Sequence, residues 1–482
     1  MSFRPPYQGY GNYYYSYVQN GTHRTIIINE NSNFPFDNTR RINYYTDGYT
    51  NSYTSGYTNN NFTNGLAAQQ PFPDSVRIKF SAPPLKQHIV KKNHKFSKKS
   101  FAILLSLIVI FLFIKRSFTG NAFFSNGWHE PDIPWNGPKN FEVDTKEFKN
   151  LEIIVSGHAA QGDLFVTRSS NDNATSIIVK VEILLSDETL QNKVEIFPFY
   201  DSSNYILQVK TPDFCASPNC ISTNINITFP RNLKEFGNFF INVINLNINN
   251  DDLKDITFDN INWKLNPSIN VKNLKSREIS VKSSGQISGN YYIDDYLLLQ
   301  TSNSQINATT KSFSDSTPKS IKLFTSNSAI RGSFPSAKLF QAHTSNGGID
   351  LKITQNNQQN TSKIVLDTNN GIISGVYDVS SEWHASTSNG NINAKLNLVN
   401  LYELVRISGM TSNGIIDTSI SDSYKGRFHL QTSNGKTTIR GSYDNINYNV
   451  NTHSLKTGHK REYNNNELSL YSSNGKINLN FF

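Results

Sequence analysis

Residues 364–392 read IVLDTNNGIISGVYDVSSEWHASTSNGNI. Ile364 and Leu366 lead into Thr368-Asn-Asn-Gly371, and Ile373 follows; the same order recurs as Trp383, Ala385, Thr387-Ser-Asn-Gly390 and Ile392. Apolar residues at every second position mark a strand with one face turned inward. The unit is therefore strand, corner, strand, and it repeats.

Followed in both directions, the corners begin at Thr301, Thr325, Thr344, Thr368, Thr387, Thr411, Thr432 and Ser472. The residue two places on is always asparagine: Asn303, Asn327, Asn346, Asn370, Asn389, Asn413, Asn434 and Asn474. Four places before the corner stand Leu297, Ile321, Phe340, Ile364, Trp383, Ile407, Phe428 and Leu468. Five places after it stand Ile306, Ile330, Ile349, Ile373, Ile392, Ile416, Thr437 and Ile477. These positions are expected to build the core.

Corner-to-corner intervals are 24, 19, 24, 19, 24, 21 and 40 residues. The last is read as hiding a worn copy at Tyr448-Asn-Val450-Asn-Thr452, and a degenerate copy precedes the series at Ile279–Gly285. Polar inserts around 309–319 and 354–362 fill longer intervals, and inserts gathered at one place in a repeat map to one face of a stack.

Asn and Gly tolerate positive φ, so Asn-Gly is expected to bend the chain at no steric cost. The Thr and Ser hydroxyls can bond local backbone, and stacked Asn amides can form a ladder as in cross-β structures. A chain of simple hairpins would also use Asn-Gly, but with turns every 8–12 residues or so, about half the observed spacing. The expected fold is an all-β ectodomain: a parallel β-solenoid or β-helix over 279–482, preceded by a β-rich part at 141–278. One coil could span about 21 residues, or about 43 with two similar sides.

Upstream the character changes. Residues 1–116 carry fourteen Lys/Arg against four acids, while the whole chain is +9, so the remainder is close to neutral. A nucleic-acid-binding main domain would need its own basic face, and no nucleic-acid partner is expected. Residues 1–85, rich in Tyr, Asn and Gly and poor in aliphatics, are expected to be a disordered cytosolic tail. A basic juxtamembrane segment at 86–100 leads into the apolar run FAILLSLIVIFLFI at 101–114, and Lys115 and Arg116 follow.

Fourteen apolar residues are short for a span, but basic side chains at both ends can snorkel and lengthen it. The expectation is a transmembrane signal anchor at 101–116. The positive-inside rule then places the N-terminus in the cytosol and residues 117–482 outside or in a lumen, in the plasma membrane or the ER/Golgi. Residues 117–140, mixed in Gly, Pro and Trp, read as a linker.

Two features on the far side agree with that topology. Cys215 and Cys220, the only cysteines, read as a local disulfide in an oxidising compartment; half of a metal site is the alternative. Asn173, Asn226, Asn307 and Asn360 head glycosylation sequons.

Catalytic, cofactor and metal motifs are not found. HExxH, G-x-S-x-G, a P-loop and a Cys/His cluster are all missing from the sequence. His384 and His429 each stand three places before a corner, on outward parity, and would align on one face two corners apart. Asp251-Asp252 and Asp294-Asp295 read as turn residues rather than a paired-carboxylate glycosidase site. Of Trp128, Trp135, Trp263 and Trp383, which could stack on sugars, Trp383 falls at an inward position.

The corners resemble those of the DUF4097-type, adhesin-like β-solenoid family, in which a Thr-x-Ser-Gly corner precedes an acidic residue and an apolar strand. Here Thr-Ser-Asn-Gly and the following Ile are kept and the acidic residue is missing. The likeness covers about 280–482 and brings no catalytic residue with it. It implies a non-enzymatic display domain, with a membrane as one partner and a cell-wall polysaccharide or surface protein as the other. The competing expectation is a carbohydrate-active β-helix enzyme, which would need carboxylates gathered on one sheet. A third is that the Tyr-rich tail recruits cytosolic partners.

Overall fold

The computed structural model describes residues 13–19, 22–28 and 130–482, less 216–219, 315, 356–361, 400–403, 442–444 and 462–464. The chain divides into two units, Met1–Ser106 and Leu107–Phe482. In the first, Tyr13–Gln19 pairs antiparallel with Thr22–Ile28, two β-prone strands on either side of Asn20-Gly21 in the sequence. Everything else expected of 1–116, the disordered tail and the membrane span included, lies outside the described residues.

In the second unit, the strand before each corner stacks on its counterpart in the next repeat. Ile321 pairs in parallel with Leu297 on one side and Phe340 on the other. The strands after the corner stack in the same way, Ile330 between Ile306 and Ile349. Two parallel sheets result, a leading sheet before the corners and a trailing sheet after them. This is the expected solenoid arrangement. One corner interval is one coil, which settles the coil length at 19 to 24 residues for the regular intervals.

The inward positions form the core as expected. Leu297, Ile321, Phe340, Ile364, Trp383, Ile407, Leu468 and Phe428 are all buried, and so are Ile306 through Ile477 in the trailing sheet. Large and small side chains compensate between coils: beside Trp383 the next coil carries Gly409, where a Cβ would stand 2.9 Å from Leu470 Cδ2 and 3.7 Å from the indole. Regular stacking also reaches further back than position 279. Asn150–Ser156 and Ala160–Arg168 already form a coil, the first of a series that runs into the Thr301 corner.

At both ends, order in space departs from order in the chain. The last strands, Glu467–Ser472 and Ile477–Phe481, lie between the coil at 406–420 and the coil at 426–440. The outermost coil is therefore the second to last in sequence. The beginning mirrors this: strands 150–156 and 160–168 lie between the outer coil (Asn204–Lys210 with Ile221–Phe229) and the next one inward.

Antiparallel strands cover the leading sheet at both ends and the trailing sheet at one. Leu455–Lys460 pairs with Gly426–Thr432, and Ile446–Asn451 pairs with Leu455–Lys460. This corrects the reading of 448–452 as a worn repeat. The 40-residue interval holds a capping hairpin, because residues 446–451 are exposed on nearly every side chain and have no inward row to contribute. At the other end Glu195–Asp201 covers Asn204–Lys210, and Ser176–Leu185 covers Ile221–Phe229. Pro198 sits in one outer strand and a register shift between Tyr448 and Val450 in the other. Both devices blunt an edge against pairing with another chain.

The corners carry three sets of bonds. Each corner hydroxyl donates to the carbonyl one corner back in space, and at the six Gly-bearing corners it also accepts from its own Gly N–H. Thr387 Oγ1 accepts from Gly390 N at 3.1 Å and donates to Gly371 O at 3.1 Å; Thr411 repeats this with Gly414 N and Gly390 O, both at 3.0 Å. Backbone bonds such as Asn389 N to Asn369 O join successive corners. The Asn amides form the third set, described below.

The corner glycines are explained differently from the expectation. Neither they nor the corner asparagines lie in the left-handed region. What requires glycine is the carbonyl of the adjacent corner: a Cβ on Gly371, Gly390 or Gly414 would stand 1.7 Å from that oxygen. Ser304 and Ser328 take the glycine's place only at the first two corners.

The C-terminal cap is fastened by a buried charge. The Lys460 side chain is fully buried, and its Nζ donates to Asp422 Oδ1 at 2.7 Å and to Asp422 O at 2.5 Å. Arg461 also pairs with Asp422. Hydrogen bonding from Lys460 first, then the charges of Lys460 and Arg461, outweigh desolvation and hold the Asp422 carboxyl below its usual range.

Two predictions follow from these contacts. Gly347→Ala, whose Cβ would meet Ser328 O at 1.8 Å, should destabilise the fold by about 2 kcal/mol or more. The adjacent Gly348→Ala, with its nearest neighbour at 3.3 Å, should cost far less. Thermal melts of both variants decide it, and equal losses would refute the close-approach account. Asp422→Ala, by stranding a buried ammonium, should cost about 3 kcal/mol. Because the folded pKa of Asp422 is depressed, its contribution is present above the unfolded carboxylate value, about 3.9, and fades as pH falls through the folded one. The deficit of Asp422→Ala should accordingly shrink in acid, as followed by melts from pH 7 to 3.

Candidate functional site

The expected Asn ladder exists and is continuous. Asn327 Nδ2 donates to Asn303 Oδ1, Asn346 to Asn327, Asn370 to Asn346, Asn389 to Asn370 and Asn413 to Asn389, each at 2.6 or 2.7 Å. It then follows space rather than sequence: Asn474 donates to Asn413, and Asn434 to Asn474, both at 2.7 Å. All eight side chains are exposed. Since water competes for each amide there, a rung contributes toward the lower end of the usual 0.5–1.5 kcal/mol or so. Each amide is occupied by its neighbours, so the motif is a structural seam more than a ligand site.

Outward positions of the leading sheet offer more. Five places before the corner, in spatial order, stand Lys363, Glu382, Arg406, Glu467 and Arg427. The charges alternate only because Glu467 is inserted between the two arginines. Glu382 is paired with Lys363 at 2.9 Å and with Arg406 at 3.6 Å, and these cations, Lys363 first, hold its carboxyl below the usual range.

His384 and His429 do share this face, but the inserted coil places them three coils apart rather than two. At about 4.8 Å per strand that is on the order of 14 Å, too far for a joint site. His384 Nε2 stands 4.0 Å from Asp367 Oδ1. Burial raises the pKa of Asp367, against the opposing pull of His384 and His343. His429 meets Gln431 Oε1 at 3.1 Å and lies against the Tyr471 ring, centroids 5.1 Å apart.

Several shallow, open clefts lie on this same face. One, of about 380 Å³, runs along the corner column past Ser386, Met410, Gln431, Ser433, Tyr471 and Ser473. A second, of about 350 Å³, lies between Tyr471 and the capping hairpin, past His429, Asn449, Thr457 and Ser469. A third is bordered by Lys363, Glu382, His384 and Arg406. Near the other end, a fourth follows the corner column past Asn242, Lys264, Lys282 and Gln300.

The remaining candidates are accounted for locally. Asp252 caps and pairs with Lys254. Asp295 bridges Arg277 and Lys319, and Asp294 accepts from Ser316 at 2.7 Å. Asp252, Asp294 and Asp295 are thus each engaged by a local partner. Trp135, Trp263 and Trp383 are core residues and offer no sugar platform; Trp128 lies outside the described residues. Among the described residues, Tyr471 is an exposed aromatic on this face that sequence reading passed over. Its outward parity was visible, but its neighbours in register, Met410 and Gln431, depend on the inserted coil.

Among the described residues no group of three or more His, Cys, Asp and Glu could hold a metal ion, and none of the helices is long and apolar enough to cross a membrane. Cys215 and Cys220 form a disulfide. Asn173 and Asn307 are exposed, Asn226 is half-buried on a strand, and Asn360 lies outside the described residues.

No protein-family profile and no curated protein sequence matches this chain. Among solved structures, it is similar to a provisionally named cell adhesion protein from Clostridium sporogenes, at 9% identity and a TM-score of 0.14, covering 72% of this chain and 100% of the other. It is also similar to a provisionally named adhesin from Bacteroides fragilis, at 10% identity and a TM-score of 0.20, covering 70% and 95%. Scores this low carry no argument about what this chain does, which rests on its own geometry.

Proposed function

We propose that this chain is a type II single-pass membrane glycoprotein that displays a non-catalytic β-solenoid for binding, adhesion or scaffolding at a surface or in a lumen. One observation carries the binding half: open, elongated clefts on the leading face, bordered by hydroxyl and amide side chains that recur from coil to coil. Such a surface suits an extended ligand making many weak contacts, a wall polysaccharide or a surface protein. The membrane half rests on the apolar run with its basic flanks. The disulfide and the sequons fit an oxidising, glycosylating compartment.

The test is a protection assay on sealed vesicles from cells expressing the full chain, tagged at both ends. Protease should remove the N-terminal tag and spare the C-terminal one. Glycosidase should shift the wild type but not a variant with Gln at Asn173, Asn226, Asn307 and Asn360. Reversed protection would overturn the topology, and ligand cleavage that persists through stringent purification would overturn the non-catalytic reading.

A further inference from the structure

We infer that the paired clefts on either side of Tyr471 form a subsite for a neutral polysaccharide, which deepens the adhesive reading above and rests on it. Tyr471 lies on the inserted last coil, in register with Met410 on one side and Gln431 on the other. Tyr471 is 36% exposed and Met410 39%, so the two form an apolar shelf flanked in the same row by the polar Ser386 and Gln431. The shelf joins adjacent strands, its two residues one spacing of roughly 5 Å apart. The His429 ring, tilted 36° to the phenol ring, supports it from the neighbouring strand.

A pyranose ring has the complementary character: a flat face of C–H groups and a rim of hydroxyls. An exposed tyrosine offers an apolar body for that face at low conformational cost. The hydroxyls of Ser386, Ser433 and Ser473 on one side, and of Thr457 and Ser469 on the other, stand where they can meet the rim. The clefts, at about 380 and 350 Å³, are open at the surface and continue past the ring in both directions. A chain can therefore enter and leave, as a polymer must.

Charge narrows the ligand further. The charged row beside the shelf alternates Arg406, Glu467, Arg427, so the two cations are separated by a carboxylate and do not form a cluster. A surface for an acidic glycan would present unbalanced cations. The capping hairpin supplies the far wall through Asn449 and Thr457, which gives this strand pair a binding role beyond closing the solenoid.

The experiment uses the full chain purified in detergent and calorimetric titration with hexasaccharides of β-1,3-glucan, β-1,4-glucan and α-mannan, with hexagalacturonate as the acidic comparator. At least one neutral hexasaccharide should bind. Tyr471→Ala should weaken it at least tenfold, and Tyr471→Phe should stay within about threefold, because the ring face carries the contact. Thr438→Ala, on the trailing face, should leave binding unchanged, and melts of each variant confirm folding. Preference for hexagalacturonate, or equal binding by Tyr471→Ala, overturns the inference. So does wild-type chain that holds cell-wall fragments while ignoring every hexasaccharide; the adhesive reading then survives with a protein ligand. Wild type that binds neither fragments nor hexasaccharides overturns both.

Discussion

From Gly347 onward, each coil of this protein rests on its neighbour through a corner glycine with no room for a side chain. The carbonyl of one corner occupies the place where the next corner's Cβ would stand. That approach lets the Thr hydroxyl bridge two corners and the Asn amides bond in line. It also fixes the register of both sheets, since a slip by one residue would turn every inward Ile outward. The hydrophobic rows supply most of the stability. Buried side chains of this size contribute about 1.5–3 kcal/mol each, whereas an exposed amide rung contributes a fraction of that. The corner decides how the rows line up.

Identical stacking creates a hazard, because a parallel solenoid ends in open edges that another copy could extend. Here antiparallel strands cover both ends of the leading sheet, and each outermost coil lies against one that is not its neighbour in the chain, 467–481 at one end and 150–168 at the other. This arrangement places strands 467–472 and 477–481 inside the stack rather than at its edge. The Lys460–Asp422 contact then fastens the hairpin to the stack.

Much of this was legible in the residues. The period-two rows, the corner and the ladder follow from reading residues 297–477 in alignment, and the side chains called inward are buried. Two matters were not legible. Glycine's freedom in φ suggested a left-handed bend, yet sequence cannot distinguish a Gly chosen for φ from one chosen for space; only the facing carbonyl does. Spatial order was the second. The 40-residue interval looked like decay of the repeat because Tyr448 and Val450 alternate as strand residues do, although no third inward row accompanies them. One clue was present: in chain order Arg406 and Arg427 would be neighbours, and only Glu467 placed between them makes the charge row alternate. The site shares this obscurity, for Tyr471 gains Met410 and Gln431 as neighbours only through the insertion.

The central claim is therefore the order of the final coils, and cysteine pairs test it most directly in a chain whose own two cysteines are already bonded. Ser408 is in register with Ser469 on the adjacent strand, and Ser469 in turn with His429. Under mild oxidation Ser408→Cys with Ser469→Cys should form a disulfide, and Ser408→Cys with His429→Cys should not. Coupling of 408 to 429 with none to 469 would mean that the coils stack in sequence order, and would contradict both the fold described and the shelf built on it.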